Sequence, residues 1–284
     1  MFQWKRLPDL DAAGTNTNDT TEVQIGAGLT VPTWARSIKA IHIHSIMLAL
    51  TTDEEISGYL RLANDQGTLD PLNFPLPMAL GLAAAAGEHL TFPITYPCEH
   101  NVTPNDIVRA YAALDTLTTG VHTLQAYILF SSQAARFNMK AQKSAVVAAS
   151  ATANTEAGAA TIQTIADRTR DLLGIWAYVN MHGGVTAAQT VGGYVKVKSS
   201  VAGWLEQVFP TNILGSGLGT DIATITKPMF AVIDQLRQYL DGVSIIPFES
   251  PFPVNGRASF NFSNYMDGTN TNAPELRYGL IWRE

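Results

Sequence analysis

Alternating apolar and polar positions recur along most of the chain and predict β-strands. Residues 38–44, 58–62 and 193–198 alternate with the period of two that is typical of half-buried strands. Two strongly apolar and aromatic runs, 121–130 and 276–282, each follow a turn rich in Gly, Thr or Asn, and we predict that they are closing strands. Short strands separated by turns predict an all-β protein, either a sandwich or a barrel.

The same strand patterns occur twice in the same order, which indicates an internal duplication. The offset between matching residues is 134 or 135 early in the repeat and 152 to 154 later. This change places one main insertion in the second copy, within residues 197–239. The matching segments are 40–44 with 174–178, 58–62 with 193–197, 92–97 with 246–251, and 124–130 with 276–282.

The duplication predicts two domains, residues 1–135 and 136–284, with a linker region at about 136–160. Each copy also contains a run that opens with Pro-Met and ends at Gly, 77–87 in the first and 228–242 in the second. Proline suits the first position of a helix, and the large apolar residues of the second run share one helical face. We therefore predict a short helix between the later strands of each copy.

Composition narrows the class of protein. Charged residues make up 15% of the chain, against about 25% in an ordinary soluble protein, and the net charge is −6. The acidic balance argues against a specific nucleic-acid partner, and the single cysteine excludes an intrachain disulfide or a multi-cysteine zinc site. We find neither a signal-peptide pattern nor a long apolar run, so we expect synthesis in the cytoplasm. The low charge is explained if much of the surface is buried in an assembly.

Candidate chemistry is sparse. His42 and His44 share one face of a strand and could ligate a metal, but a half-exposed strand face is the simpler interpretation. The acidic run 53–55 is interpreted as a solvated loop, with a cation site as the alternative. Cys98 and His100 are too close in sequence for a typical nucleophile and base, and we expect a packed thiol. We assign no catalytic, cofactor or metal residue, and expect a protein that is not an enzyme and has no cofactor.

The N-terminus is the segment with the most functional character. Phe2, Trp4 and Leu7 form a short amphipathic stretch together with Lys5 and Arg6. Aromatic residues beside cations favour an anionic lipid interface, and many copies in a lattice would act together. Docking on a neighbouring subunit is the equally weighted alternative. We therefore select Phe2, Trp4, Lys5 and Arg6 as membrane or neighbour contacts.

The two similar halves resemble the double-jelly-roll major capsid proteins of tailless icosahedral viruses, many of which contain an internal membrane. The resemblance covers nearly the whole chain and is carried by the repeated GYLRL and GYVKV strands and by the FPxxYP and IPxxSP turns. It implies two tandem jelly rolls and a homotrimer, pseudo-hexameric in outline, that tiles a capsid. It also implies a location in the virion, with minor capsid or vertex proteins and an internal lipid membrane, met through the N-terminus, as partners.

The halves differ in charge. Residues 1–135 carry 6 Lys or Arg and 13 Asp or Glu, a net charge of −7, whereas residues 136–284 carry 12 and 11, a net charge of +1. Halves of unlike charge could attract each other in alternation around a trimer.

Three other interpretations stay open at this point. The chain could be an extracellular or filament-forming β-sandwich assembly protein. It could be a bicupin-type metal enzyme, which is also a duplicated β-barrel, with His42 and His44 as ligands. It could also bind carbohydrate by stacking sugars on tryptophans, although such residues at strand positions usually belong to a core. The tryptophans in question are Trp34, Trp176, Trp204 and Trp282.

Overall fold

A computed structural model of the chain describes most of the first half and shorter segments of the second. All the regular secondary structure among the described residues is β-strand. The all-β class predicted from the sequence is therefore confirmed for these residues. The described residues are 1–8, 10–13, 22–48, 54–76, 79–82, 88–91, 93–115, 121–143, 147–148, 155–157, 162–164, 171–180, 193–199, 207–211, 213–214, 217–218, 221–222, 225–226, 229–233, 247–248, 252–253, 259–266 and 275–284.

The strands are numbered in chain order. Those of the first half are β1 (Phe2–Arg6), β2 (Leu10–Ala13), β3 (Val23–Thr30), β4 (Ser37–Leu48), β5 (Glu54–Asn64), β6 (Asn73–Pro75), β7 (Ala79–Leu82), β8 (Glu88–Thr91), β9 (Ile94–Asn101), β10 (Ile107–Asp115) and β11 (Val121–Ser131). Those of the second half are β12 (Met139–Lys143), β13 (Val147–Ala148), β14 (Thr155–Ala157), β15 (Ile162–Thr164), β16 (Asp171–Asn180), β17 (Gly193–Ser199), β18 (Gln207–Thr211), β19 (Ile213–Leu214), β20 (Gly217–Leu218), β21 (Asp221–Ile222), β22 (Ile225–Thr226), β23 (Met229–Ile233), β24 (Pro247–Phe248), β25 (Phe252–Pro253), β26 (Ser259–Met266) and β27 (Glu275–Arg283).

Four main sheets, almost entirely antiparallel, contain these strands, an arrangement consistent with a β-sandwich. Sheet 1 has the order β1-β11-β4-β9, with β2 also on β11, and sheet 2 has the order β3-β10-β5-β7-β8, with β6 also on β5. Sheet 3 has the order β12-β27-β16-β23-β24, with β13 on β27 and β25 on β16. Sheet 4 has the order β14-β26-β17-β18, with β15 on β26. Strands β12 to β14 lie within the predicted linker region.

The register of the sheets repeats between the halves. Ile41 pairs with Ile128 in sheet 1, and Ile175 pairs with Leu280 in sheet 3. These are the partners that the offsets of 134 and 152 predict from the sequence. Sheets 2 and 4 agree in the same way, since β5 and β10 pair as β17 and β26 do.

A β-bulge recurs at the same place in both halves. The register shifts across Lys39 in β4 and across Leu173 in β16, two positions that are 134 residues apart in the sequence. A bulge places one extra residue opposite its partner strand and bends that strand. The two halves therefore share this irregularity at matching sequence positions.

The repeat also includes residues that the comparison of the two halves in sequence did not match. Pro75 pairs with Tyr59, and Pro210 pairs with Tyr194, so the Phe-Pro pair that ends β6 matches the Phe-Pro pair within β18 at the offset of 135. The insertion in the second copy therefore begins after Pro210, and the two small antiparallel pairs β19–β22 and β20–β21 lie within it.

The predicted helices are wrong wherever the structure describes their residues. Ala79–Leu82 is strand β7 between β5 and β8, and Met229–Ile233 is strand β23 against β16. A five-residue apolar run such as Met-Phe-Ala-Val-Ile fits a buried strand as well as a helix face, and pairing to a long neighbouring strand decides between them. The remainders of both runs lie outside the described residues.

The core of the first half is formed by alternate residues of sheets 1 and 2. Ile41, Ile43 and Ile128 of sheet 1 are buried with Leu60 and Leu62 of sheet 2 in one cluster. Each such side chain stabilises the fold by about 1.5–3 kcal/mol through its burial. Because neighbouring residues of a strand point to opposite sides, this core fixes which residues occupy the outer faces.

Trp176 and Gly279 show how tightly the second half is packed. Both residues are buried, and a Cβ atom added to Gly279 would overlap the Trp176 indole ring. We expect Gly279→Ala to lower the free energy of unfolding by about 2–3 kcal/mol, measured by urea denaturation. The substitution should cost much less in a Trp176→Leu background, since the ring that causes the overlap is gone. Equal costs in the two backgrounds would contradict this packing.

Candidate functional site

The N-terminal segment is an edge strand of sheet 1. β1 pairs antiparallel with β11, and the Met1 ammonium donates to Ser132 Oγ at 2.8 Å. Phe2 and Trp4 are 54% and 44% exposed, whereas Leu7 is buried in the core. The predicted contact residues are thus held on a rigid strand, and their two large apolar side chains face solvent.

An aromatic cluster lies on the outer face of sheet 1, which we define by Phe2, Trp4, His42 and Tyr127. The Trp4 and His42 rings meet edge to face with centroids 6.3 Å apart, and His42 is 6.0 Å from Tyr127. His42 Nδ1 is 2.9 Å from Thr95 Oγ1. Four partly exposed rings with a hydrogen-bonding edge form a surface suited to contact with another macromolecule.

The bulge residue Lys39 forms a buried ion pair near one end of sheet 1. Its Nζ atom is 2.5 Å from Glu99 Oε1, and both side chains are almost fully buried. The same carboxylate oxygen accepts the Arg136 backbone N–H at 2.8 Å. Removing one partner of such a pair is costly because the other charge stays buried. The pair therefore fixes the chain where the first half passes into the second.

Strand β12 of the second half packs on the first half. The Ala141 N–H donates to the Pro71 carbonyl at 2.9 Å, and the Asn73 amide donates to the Ala141 carbonyl at 2.8 Å. Lys140 Nζ donates to the carbonyls of Thr68 and Asp70 at 2.6 and 2.7 Å. These bonds satisfy backbone groups of an edge strand that would otherwise be buried without partners.

A charged cluster borders this contact between the halves. Lys143 Nζ contacts the Tyr59 hydroxyl, lies 3.9 Å from the centre of the Tyr59 ring, and is 3.5 Å from Glu22 Oε1. Glu22 also accepts from Tyr59 at 3.0 Å and from Arg61 Nε at 2.8 Å. Burial acts to raise the pKa of Glu22, but Arg61, Tyr59 and Lys143 together lower it below its ordinary value. The carboxylate is therefore ionised at neutral pH and ties β3, β5 and β12 together.

The structure supports no reactive role for the other candidate residues that it describes. Burial, with Glu99 nearby, raises the pKa of the Cys98 thiol, so it is a packed thiol at neutral pH as expected. Glu54 and Glu55 begin strand β5 rather than lying in a loop, and Asp53 lies outside the described residues. Trp176 and Trp282 are fully buried, which removes them as sugar-stacking surfaces.

The described part of the chain contains neither a metal-binding cluster nor a membrane-spanning helix. No group of three or more His, Cys, Asp or Glu is placed there to hold a metal ion, so His42 and His44 gain no third ligand from it. Among the same residues, no helix has the length and apolar character to cross a bilayer.

The contact between the halves was not predicted from the sequence. A signal for it exists, because Glu22 and Tyr59 match Glu156 and Tyr194 at offsets of 134 and 135. The partner Lys143, however, is 84 residues from Tyr59, and no local pattern connects them.

Known proteins are similar to this chain in structure but not in sequence. No protein-family model and no curated protein sequence matches the chain. The structure of PNGF-II is similar at a TM-score of 0.43 and 8% identity over 98% of this chain, which spans only 65% of the PNGF-II chain. A peptide-N(4)-(N-acetyl-β-D-glucosaminyl)asparagine amidase is similar at a TM-score of 0.39 and 9% identity, over 98% of this chain and 96% of its own.

A viral structure is also similar, at a lower level. The Macrobrachium rosenbergii nodavirus structure has a TM-score of 0.22 and 8% identity, covering 100% of this chain and 91% of its own. The similar structures are all-β, as this chain is. At such low sequence identities the similarity concerns the fold alone. The roles of residues in these proteins are not transferred to this chain.

One prediction from the sequence is corrected by these comparisons. The chain was expected not to be an enzyme, and the similar structures include an amidase that is matched over nearly its full length. That expectation is contradicted and is withdrawn.

His100 makes the stability of the first half sensitive to acid. Its ring is buried, Nδ1 is 2.8 Å from the Asn101 carbonyl, and burial lowers the pKa of His100 to about 4 from 6.5. The unfolded chain takes up a proton below pH 6.5 while the folded chain does not, so stability should fall by about 3 kcal/mol between pH 6.5 and 4. Urea unfolding at several pH values should show this loss reduced in His100→Gln. His44→Gln, on the outer face, is the matched control for the same change of residue type.

Proposed function

We propose that the chain is a major capsid subunit built from two tandem jelly rolls, residues 1–135 and 136–284. In a jelly roll, eight strands form two four-stranded sheets through Greek-key connections. With β1 and β2 as the first strand of the first half, sheet 1 has the order first, eighth, third, sixth. Sheet 2 begins second, seventh, fourth. Sheets 3 and 4 repeat the first three positions, as β12-β27-β16 and β14-β26-β17, but β23 lies next to β16, and only the two-residue β25 pairs with β16 where β9 pairs with β4. The recurrence of this order and of the bulge supports the finer assignment.

The packing of the two halves of the chain is the main observation that supports this function. Met139 and Ala141 of β12 are buried and β12 packs on the first half, whereas the matching strand β1 of sheet 1 presents Phe2 and Trp4 to solvent. A soluble monomer gains nothing from two exposed aromatic side chains on an edge strand, whereas an assembling subunit buries them against a neighbour. The low charged fraction of 15% supports the same conclusion.

This function defines the partners and the location that we propose. Three chains would supply six similar units to a pseudo-hexameric trimer, and trimers would tile a closed shell. The protein would then reside in the virion after synthesis in the host cytoplasm. Minor capsid or vertex proteins, and a lipid membrane inside the shell, are the further partners proposed.

The native assembly state tests the proposal. We expect light scattering after size-exclusion chromatography to give a particle of three times the chain mass of 30.6 kDa. Electron microscopy of concentrated protein should show closed shells or flat hexagonal arrays. Head-to-tail fibres would instead favour the filament-forming alternative, and a monomer at every concentration would overturn both.

A further inference from the structure

His100 of β9 has a buried ring nitrogen without a partner, close to the contact between the halves. The residue is 1% exposed, and its Nδ1–H donates to the Asn101 carbonyl at 2.8 Å. Because a carbonyl can only accept, the neutral ring carries its proton on Nδ1, and Nε2 keeps a lone pair. Among the residues that the structure describes, this Nε2 has no hydrogen-bond partner. A buried polar atom left in this way calls for an explanation.

The Thr68 carbonyl connects His100 to the second half. It accepts from Lys140 Nζ of β12 at 2.6 Å, and the same ammonium donates to the Asp70 carbonyl at 2.7 Å. The Thr68 backbone also favours the protonated form of His100, whereas the charge of Lys140 disfavours it. One carbonyl is therefore shared between an ammonium that holds β12 and an imidazole that is neutral.

Burial and a neighbouring cation keep the ring neutral. Burial lowers the pKa of His100 to about 4, and Lys140 adds to this shift against the carbonyls of Asn101 and Thr68. The adjacent charges on β4 and β9 neutralise each other, since Lys39 is bound to Glu99. Lys140 is therefore the charged group that protonation of the ring brings into conflict.

A displaced Lys140 has other partners close by. Burial lowers the pKa of Lys140, and the carboxylates of Glu284 and Asp70 oppose that shift. Both of these acidic residues are exposed. The ammonium can thus leave the two carbonyls for carboxylates at the surface, and it does not become an unpaired buried charge.

The repeated unit does not require the two titratable groups. Gln3 of β1 stands at the position of Lys140 of β12 in the register of the two sheets. Val254 stands at the position of His100 at the offset of 154. An amide and an aliphatic side chain occupy the matching positions, so the pair belongs to the contact between the halves and not to the repeat.

We propose that His100 and Lys140 form an acid-sensitive latch that holds β12 against the first half. When the ring takes up a proton from solvent, its Nε2–H donates to the Thr68 carbonyl, and a second cation stands beside the Lys140 ammonium. Like charges repel strongly where water is excluded, so Lys140 leaves the two carbonyls. β12 then separates from Pro71 and Asn73 before either half unfolds. The latch acts within one chain, so it does not depend on the assembly proposed above.

Acid favours the open latch because the released ring binds a proton more readily. The pKa of His100 is about 4 while the latch is closed and returns to its ordinary value of 6.5 once β12 has left. The open state then binds one more proton than the closed state, which favours opening by about tenfold per pH unit between pH 6.5 and 4. Above pH 6.5 neither state is protonated, and the latch stays closed.

Thiol labelling measures the opening. Ala141 is fully buried and bridges Leu72, so Ala141→Cys places a thiol inside the contact. The native Cys98 is buried in the core of the first half and reports unfolding of that half. Labelling with dithiodipyridine, which reacts in acid, is compared with that of the unfolded chain at each pH. We expect the relative rate at position 141 to rise about tenfold per pH unit below pH 6.5 while Cys98 stays protected.

Three substitutions in this background identify the groups responsible. His100→Gln cannot take up the proton and should abolish the acid dependence at position 141. Lys140→Met should make it shallower, because the ring loses the opposing cation and its pKa in the closed state rises. Lys143→Met is the matched control, since it removes a cation of the same strand that contacts Tyr59, and it should keep the full acid dependence.

Hydrogen exchange gives a readout that needs no substitution. The Ala141 N–H donates to the Pro71 carbonyl at 2.9 Å, so its exchange, corrected for the intrinsic rate at each pH, should accelerate in acid before that of β11. Simultaneous exposure of position 141 and Cys98 would mean that the chain opens as one unit, and the latch would be overturned. An acid dependence that persists in His100→Gln would overturn it as well.

Discussion

The pairing of the last strand of each half with an early strand of the same half is the constraint on which the rest of the structure depends. β11 lies between β1 and β4, and β27 lies between β12 and β16, so each closing strand brings together segments far apart in sequence. Each pairing includes one bulge, at Lys39 or Leu173. A slip of one residue would turn every inward side chain outward, so the register determines both the core and the outer faces.

Once the register is fixed, the corresponding outer faces of sheets 1 and 3 lie in different environments. In the second half, Trp176 covers Gly279 and both are buried. In the first half, the matching residues are His42 and Tyr127, whose rings lie beside each other and are partly exposed. The matching positions therefore differ, with close apolar packing of buried residues in the second half and partly exposed amphipathic rings in the first.

Electrostatics support this division. The contact between the halves places Lys143 beside Glu22 and Tyr59, and the neighbouring Arg61 contributes to lowering the pKa of Glu22. Charged groups at the border of an apolar contact contribute little free energy when exposed but fix its orientation. The halves also differ in net charge, −7 in the first and +1 in the second.

The sequence by itself determined the all-β class, the duplication, the closing strands and the pairing offsets, because alternation and internal similarity are local or directly comparable along the chain. It did not determine the conformation of Met229–Ile233, since a short apolar run satisfies the helical and the strand pattern equally. Only the tertiary structure placed Lys143 against Glu22 and showed that Phe2 and Trp4 are exposed while their counterparts are buried. Whether a side chain is buried depends on which distant segments of the chain pack against it. That packing is a property of the whole folded chain and not of a local stretch of sequence.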